Sequence, residues 1–258
     1  DGYKERATGD DVITAFRMGI GSEHLQWGAA YYPWVETTIV SPFDVNFTNI
    51  DNGYIMAFIG LLQEYLELQV KAGLLKQTQA DDINAVIERL RPTKVSQSEK
   101  AGKEDTGKPP LKEEIHQTLL ATHPLYKEIM QSVRAHLNLL PPSGGMAGIY
   151  SMIDNTRGVW QSPANVSMGS VVKPAVSITH NEQEDLNAPL DGKTVNAIRT
   201  FPGKGVLVWG ARMLDGNSGE WRYISVRRTT IVIEQSVKYA AKAFAFEPND
   251  SNTWASLK

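Results

Sequence analysis

Residues 201–214, FPGKGVLVWGARML, and residues 220–228, EWRYISVRR, say most about the fold of this chain. In both strings charged side chains alternate with apolar ones, which is the period of a β-strand with one wet face and one dry face. The polar residues DGNSG at 215–219 favour a turn between them. The sequence therefore predicts a β-hairpin over 205–226.

A strand and a helix flank this predicted hairpin. Residues 195–199 are predicted to form a strand, and residues 230–246 a helix, because the apolar residues of the second segment recur at helical spacing. Trp209 and Trp221 are predicted to anchor the core. The helix residues predicted to face inward are Ile233, Val237, Ala240, Ala241 and Phe244.

The composition excludes several classes of protein. With 41% apolar residues, 21% charged residues and a net charge of −3, the chain is an ordinary globular one, and nothing favours a polyanionic partner such as nucleic acid. The absence of cysteine excludes disulfides, thiolate metal sites and a cysteine nucleophile, and it fits a reducing compartment. No apolar run approaches the roughly 20 residues that span a bilayer. We expect the chain to be part of a longer protein.

The middle of the chain is predicted to be helical. Apolar residues recur every three or four positions over 53–72, 80–90 and 124–137, which indicates amphipathic helices. Residues 93–110 are mostly polar and include two consecutive prolines, so they are predicted to form a mobile surface loop. These segments together define a helical insertion over 41–135.

No complete catalytic or cofactor motif is found. Gly192-Lys193-Thr194 resembles the end of a phosphate-binding loop, but Asn187 stands where that loop needs its first glycine. Ser143 lies in a glycine-rich bend without the Gly-x-Ser-x-Gly pattern of a nucleophile elbow. None of the histidines (His24, His116, His123, His136 and His180) has motif partners, and no metal or cofactor site is predicted. Because triad residues meet only in space, a hydrolase remains an alternative.

The basic residues near the carboxyl end are the candidate binding residues. Arginine holds carboxylates with a planar fork, so a set of arginines suits pairing with a neighbouring subunit. For any single member of the set, a solvated strand face is the better explanation. The set comprises Arg199, Arg212, Arg222, Arg227 and Arg228, with Lys238 and Lys242 on the following helix.

Five strings in order resemble the conserved end of contractile tail sheath proteins. They are PPSGGMAGIY at 141–150, DNTRGVWQSPAN at 154–165, the two strings at 201–214 and 220–228, and FEPND at 246–250. Their order and spacing agree with that family. Upstream, WGAAYYPW favours the sheaths of phage-tail-like injection systems over phage sheaths.

The resemblance implies an α/β fold with a subtilisin-like three-layer core that lacks a catalytic triad. This core is expected over 1–40 and 136–192, followed by a small α+β C-terminal sheath domain over 193–258 that is truncated here. The string SGGMA resembles GTSMA at the subtilisin nucleophile, with Gly145 in the place of the serine. The resemblance therefore implies no proteolysis, and the alternative is a subtilisin-like serine hydrolase.

The resemblance also implies a structural function. Such subunits polymerise as stacked six-fold rings around an inner tube and contract to drive the tube through a target envelope. Their expected partners are further copies of the subunit, the inner tube protein, and baseplate and terminal cap proteins, with no cofactor, nucleic acid or membrane insertion. Assembly is expected in the bacterial cytoplasm, as part of a phage tail or of a phage-tail-like particle that can be released. The interlocking terminal arms of the family are expected outside this chain.

Overall fold

The computed structural model describes residues 11–91 and 111–257. The predicted mobile loop at 93–110 lies outside these residues. The described helices are α1 (Asp11–Gly19), α2 (Ile55–Lys71), α3 (Gln77–Glu88), α4 (Leu111–Thr122), α5 (Pro124–Asn138), α6 (Ser143–Thr156), α7 (His180–Asn187), α8 (Ile224–Ala241) and α9 (Ser251–Leu257). The described strands are β1 (Ala30–Tyr32), β2 (Val35–Thr37), β3 (Leu139–Leu140), β4 (Val166–Ser167), β5 (Val171–Pro174), β6 (Val195–Phe201) and β7 (Gly205–Val208).

The chain divides into two compact units. The smaller unit is formed by Ile39–Asn138, and the larger unit contains the described residues on either side of it. All seven strands belong to the larger unit, which is a mixed α/β structure, whereas the smaller unit contains α2 to α5.

The larger unit has two small sheets. One has the strand order β1-β6-β7-β4, in which β1 and β6 run parallel and the other neighbours run antiparallel. The other has the order β3-β2-β5 and is antiparallel throughout. Among the described strands, β1 and β6 are the only parallel neighbours, so the larger parallel sheet of a subtilisin-like core is not seen in this part of the chain.

Helix α6 packs on the core of the larger unit. Met146, Ile149 and Ile153 recur at helical spacing, are buried, and belong to one apolar cluster with Ile198 of β6 and Val208 of β7. The strand predicted over 195–199 is confirmed as part of β6.

The predicted hairpin over 205–226 is wrong. The hairpin of the structure joins β6 to β7, and Gly203 and Gly205 turn the chain with φ of 73° and 75°. Further on, the chain folds back on itself only at a single bridge between Arg212 and Tyr223, and helix α8 begins at Ile224. The prediction of a strand over EWRYISVRR was wrong because its apolar and charged residues fit a helical period as well as a strand period.

Of the two predicted aromatic anchors, Trp209 does not lie in the core. Its side chain is 37% exposed and packs against Phe201, with ring centroids 4.5 Å apart. Trp221 is half-buried. The reason is that β7 ends at Val208, so Trp209 leaves the sheet instead of continuing its buried face.

The smaller unit is a set of packed helices with its own core. The predicted helices over 53–72, 80–90 and 124–137 are confirmed as α2, α3 and α5, with boundaries that differ by a few residues. The fully buried side chains of this core include Ile59, Leu62, Leu66, Ile87, Leu119 and Tyr126.

Candidate functional site

A groove in the larger unit carries the serine considered as a nucleophile. Its volume is about 690 Å³, and Ser143 lies on its wall at the start of α6. Most of its other lining residues are apolar or aromatic, among them Trp27, Trp34 and Tyr150. Among the described residues that line this groove there is no histidine, aspartate or glutamate.

Gly145, the residue aligned with the subtilisin serine, lies against the flexible end of the Met168 side chain. It lies in the first turn of α6, and a Cβ atom there would collide with Cε of Met168, a buried side chain. A serine at this position requires Met168 to move.

Among the described residues, no group of three His, Asp or Glu side chains is placed to hold a metal, and no helix is long and apolar enough to cross a membrane.

Arg228 forms a two-pronged ion pair inside the larger unit. Its Nη1 and Nη2 donate to the two carboxylate oxygens of Asp154 at 2.7 and 2.6 Å. These hydrogen bonds hold the pKa of Asp154 below its ordinary value. The guanidinium also lies 4.8 Å from the ring centroid of Tyr150, whose hydroxyl is 2.7 Å from that of Tyr31. Arg228 thus joins α8 to α6 within one chain.

Arg227 is clamped between two indole rings. Its guanidinium carbon lies 3.2 Å from the ring centroid of Trp27 and 4.4 Å from that of Trp221, and the residue is only 5% exposed. A guanidinium over the face of a tryptophan is an attractive arrangement, and it strengthens when water is excluded. Arg227 therefore fixes the first turn of α8 against the residues that precede β1.

Two of the other three arginines, Arg199 and Arg212, also make side-chain contacts within the larger unit. Arg199 donates from Nη1 to Oε1 of Gln183. Arg212 donates from Nη1 to the carbonyl oxygen of Asn187 at 3.0 Å and lies over the ring of Tyr223. Arg222 is half-buried, and within the described residues its Nε has no hydrogen-bond partner.

The predicted basic set thus separates into two groups. Four of the five arginines make side-chain contacts inside the chain, Arg222 is half-buried, and the role of the set in contacts between subunits stays a prediction. Lys238 and Lys242 are both exposed on the far part of α8 and the turn after it, with Lys242 Nζ 4.8 Å from the ring centroid of Tyr239. These two lysines are free to meet a neighbour.

We call residues 232–257 the distal segment; it contains the end of α8, a short 3-10 turn and α9. Within this described stretch no residue from 232 to 256 is buried, and all nine residues from 232 to 240 are exposed. Its exposed large apolar side chains are Val232 (45%), Ile233 (56%), Val237 (61%), Tyr239 (65%), Phe246 (102%) and Trp254 (62%).

The distal segment corrects one prediction about α8. Ile233 and Val237 were predicted to face inward, and both lie in solvent instead. Their spacing of four residues does place them on one face, as the pattern predicted. A second apolar pair, Val232 and Tyr239, lies seven residues apart on an adjacent face of the helix. In the sequence, this pair is the signal that indicates a second contact surface.

The helical distal segment is not expected to be stable in water without a packing partner. Helical segments in proteins owe most of their stability to the packing of an apolar face, and the distal segment has no such packing within the described chain. Single exposed apolar residues are common, but a run of this size marks an interaction surface.

Comparisons with known proteins show which proteins part of this chain is similar to. No protein-family profile matches the chain. The chain is 28% identical over 129 residues to the tail sheath protein of Burkholderia phage BcepMu, a match that covers 46% of this chain and 26% of the relative. It is 26% identical over 122 residues to the tail sheath protein of Vibrio phage KVP40, covering 46% of this chain and 18% of the relative.

Two solved structures are also similar. The cryo-EM structure of the anti-feeding prophage baseplate matches with 40% identity and a TM-score of 0.43 over 46% of this chain and 32% of that one. The contracted sheath complex of PVC, an extracellular contractile injection system, matches with 41% identity and a TM-score of 0.42 over 45% and 32%.

The matches to the two phage proteins confirm the predicted resemblance to tail sheath proteins. The matched segment spans about a quarter of the length of the BcepMu relative, so it corresponds to part of a sheath subunit.

Proposed function

We propose that this chain is part of a structural subunit of a contractile sheath and that its distal segment is a contact surface between subunits. The observation that carries this proposal is an apolar, helical segment in which no residue from 232 to 256 is buried. The curated relatives, which are tail sheath proteins, support it because a tail sheath is an assembly of many subunits.

A neighbouring subunit is the occupant that fits this surface. Val232, Ile233 and Val237 supply apolar area, and Lys238 and Lys242 supply charge at its margin. An apolar centre with charged residues around it is the usual arrangement of a protein–protein interface. Burying about 60 Å² of apolar surface from each side chain yields roughly 1.5 kcal/mol, so three such side chains give several kcal/mol for each subunit.

The remaining features of the proposal follow from the family resemblance. The subunits form stacked six-fold rings around an inner tube, between a baseplate and a terminal cap, and contraction drives the tube through a target envelope. The complete protein has a subtilisin-like core without a catalytic triad, and the chain is not an enzyme. Assembly takes place in the bacterial cytoplasm. The groove around Ser143, with no base in its lining, supports the non-catalytic proposal.

Contraction of such a sheath needs no nucleotide. If the contracted lattice buries more interface than the extended lattice, folded subunits move as rigid bodies and the difference in interface energy does the work. A gain of a few kcal/mol for each subunit is enough when it is repeated over a long polymer. The distal segment is a surface whose burial could change between the two lattices without any change in the core.

The test is assembly of the full-length protein with two substitutions in the distal segment. Ile233→Asp with Val237→Asp places two charges on the proposed interface, and we expect tubular polymers to be lost in negative-stain electron microscopy while the monomer stays folded by circular dichroism. The matched control is Leu68→Asp, a similarly exposed helical residue (56%) in the smaller unit, which should leave polymers unchanged. Normal polymers from the double variant would overturn the assignment of this surface.

A further inference from the structure

Two histidines are buried in the smaller unit, and the proposed sheath function makes no use of them. His116 of α4 is 2% exposed, and His123, the residue before α5, is 0% exposed. Tyr126, also fully buried, lies between them and is hydrogen-bonded to both, through its hydroxyl to His116 and through its backbone to His123.

His123 caps helix α5 with its side chain. Its Nδ1 accepts a hydrogen bond from the backbone N–H of Tyr126 at 3.1 Å, three residues further on, as an N-cap residue does. Its proton therefore lies on Nε2, which donates to the carbonyl oxygen of Leu62 in α2 at 3.2 Å. The ring also packs against Tyr65, with centroids 5.3 Å apart. Both nitrogens of the neutral ring are thus in use.

Protonation of His123 would break this arrangement. A proton on Nδ1 would face the backbone N–H of Tyr126 and would turn an acceptor into a second donor. The added positive charge would also lie at the positive end of the dipole of α5, which is unfavourable. No carboxylate of the described residues is among the groups that act on His123.

Only one of the two ring nitrogens of His116 has a hydrogen-bond partner among the described residues. Its Nδ1 lies 2.8 Å from the hydroxyl of Tyr126, and its Nε2 is buried and has no hydrogen-bond partner within the described residues. The charged groups near it are Glu113, one turn earlier on α4, and Lys127 and Arg134 of α5, which line the same cavity of about 410 Å³. A charged His116 would therefore place an additional buried donor, without an acceptor among the described residues, beside a cavity that two cationic side chains also line.

Burial lowers the pKa of both histidines below the ordinary value of 6.5, although Glu113 acts in the opposite direction on His116 and the hydrogen bond to Leu62 does so on His123. A histidine whose pKa is lower in the folded state binds its proton more readily in the open state. Its contribution to stability is complete above pH 6.5 and is lost as the pH falls from there to the lowered pKa.

We propose that His116 and His123 make the smaller unit an acid-sensitive element, in which the contact between α4 and α5 opens as the pH falls below neutrality while the larger unit stays folded. The two histidines act together through Tyr126, because loss of the cap on α5 also displaces the hydroxyl that His116 contacts. This proposal does not depend on the proposed sheath function.

The distribution of tryptophan separates the two units in one experiment. All six tryptophans lie outside residues 39–138, so tryptophan fluorescence reports only on the larger unit. Hydrogen–deuterium exchange with mass spectrometry follows the peptides of α4 and α5. Between pH 7.5 and 5.0 carboxylates of ordinary pKa stay charged, so histidines are the main groups that titrate.

For the wild-type chain, we expect protection factors in α4 and α5, corrected for intrinsic exchange rates, to fall severalfold between pH 7.5 and 5.0, because the open state binds protons at His116 and His123 more readily than the folded state does. Peptides from β6 and β7 and the tryptophan fluorescence should not change. Unchanged protection in α4 and α5, or an equal loss in both units, would overturn the proposal.

The variant His123→Asn keeps a capping side chain and removes the titrating ring. We expect its protection in α4 and α5 to fall several-fold less with acid than that of the wild type. The control His180→Asn changes a histidine whose side chain is 80% exposed, and it should keep the wild-type pH dependence. If His123→Asn and His180→Asn behave alike, the buried pair is not the sensor. Should His123→Asn not fold, His116→Gln, which removes the other buried titrating ring, is measured in its place with the same expected result.

Discussion

The two halves of helix α8 have similar side chains and opposite surroundings. Residues 224–231 include Ile224, which is 1% exposed, and Arg227, which is 5% exposed. Residues 232–241 also carry large apolar side chains, at Val232, Ile233, Val237 and Tyr239, yet none of the ten residues is buried. Whether a side chain of this helix is buried therefore depends on the neighbouring elements that its half of the helix contacts. Residue type alone does not predict its burial.

The packed half is held by contacts that reach distant parts of the chain. Arg227 meets Trp27, and Arg228 meets Asp154 of α6. The distal half has no contact of this kind within the described residues, so we propose that it is completed by another subunit. The helix would then link the interior of one subunit to the surface of the next.

The largest effect on folding is expected from Arg227→Ala. Removing a desolvated guanidinium from between two indoles should lower the free energy of unfolding by about 2–4 kcal/mol, because both the cation–π attraction and the packing of the stem are lost. Urea unfolding of the larger unit, followed by tryptophan fluorescence, measures this.

Two further variants sharpen this measurement. Arg227→Met retains apolar volume without the charge, and it should recover part of the loss. Lys238→Ala, on the exposed half of the same helix, should change the free energy of unfolding by less than about 0.5 kcal/mol. Equal effects of Arg227→Ala and Lys238→Ala would remove the distinction between the two halves.

A smaller effect is expected from the pair Arg228 and Asp154. Their side chains are 22% and 35% exposed, so solvent screens the pair, and a double-mutant cycle with Arg228→Ala and Asp154→Ala should give a coupling energy of about 1 kcal/mol. Arg228 lowers the pKa of Asp154, so the coupling should be the same at pH 7 and pH 5 and should be lost only as the pH falls below the ordinary value of 3.8. A coupling that vanishes already at pH 5 would contradict this assignment.

The sequence predicted those parts of the fold whose pattern is local. Helices α2, α3 and α5 followed from apolar spacing, because each buries one regular face. Strand β6 was also predicted, although its first four residues are all buried. The hairpin failed because EWRYISVRR fits two periods, and the distant contacts that Arg227 and Arg228 make from the helix are not visible in a local pattern. The partner of Arg228 lies 74 residues earlier in the chain, a separation that no local pattern encodes.

The candidate site was predictable only in part. The sequence placed Ile233 and Val237 correctly on one face, but a helix buried in its own chain and a helix that awaits a neighbour have the same period. The resemblance to sheath proteins supplied what periodicity does not, namely that a neighbour is expected. The arginines were predicted to contact a neighbouring subunit because of their charge. In the structure, Arg227 and Arg228 make their contacts inside the larger unit.

The smallest effect on folding is expected from the double variant Ile233→Ser with Val237→Ser. Isoleucine, valine and serine have similar helix propensities, so the change tests burial and little else. Because both side chains are mostly exposed, the free energy of unfolding of the monomer should change by less than about 0.5 kcal/mol in the same urea experiment. The matched control in the packed half is Ile224→Ser, which removes a fully buried side chain and should cost at least about 2 kcal/mol. A loss of similar size in both variants would mean that the distal half is already packed within its own chain, and its assignment as an interface would then have no basis.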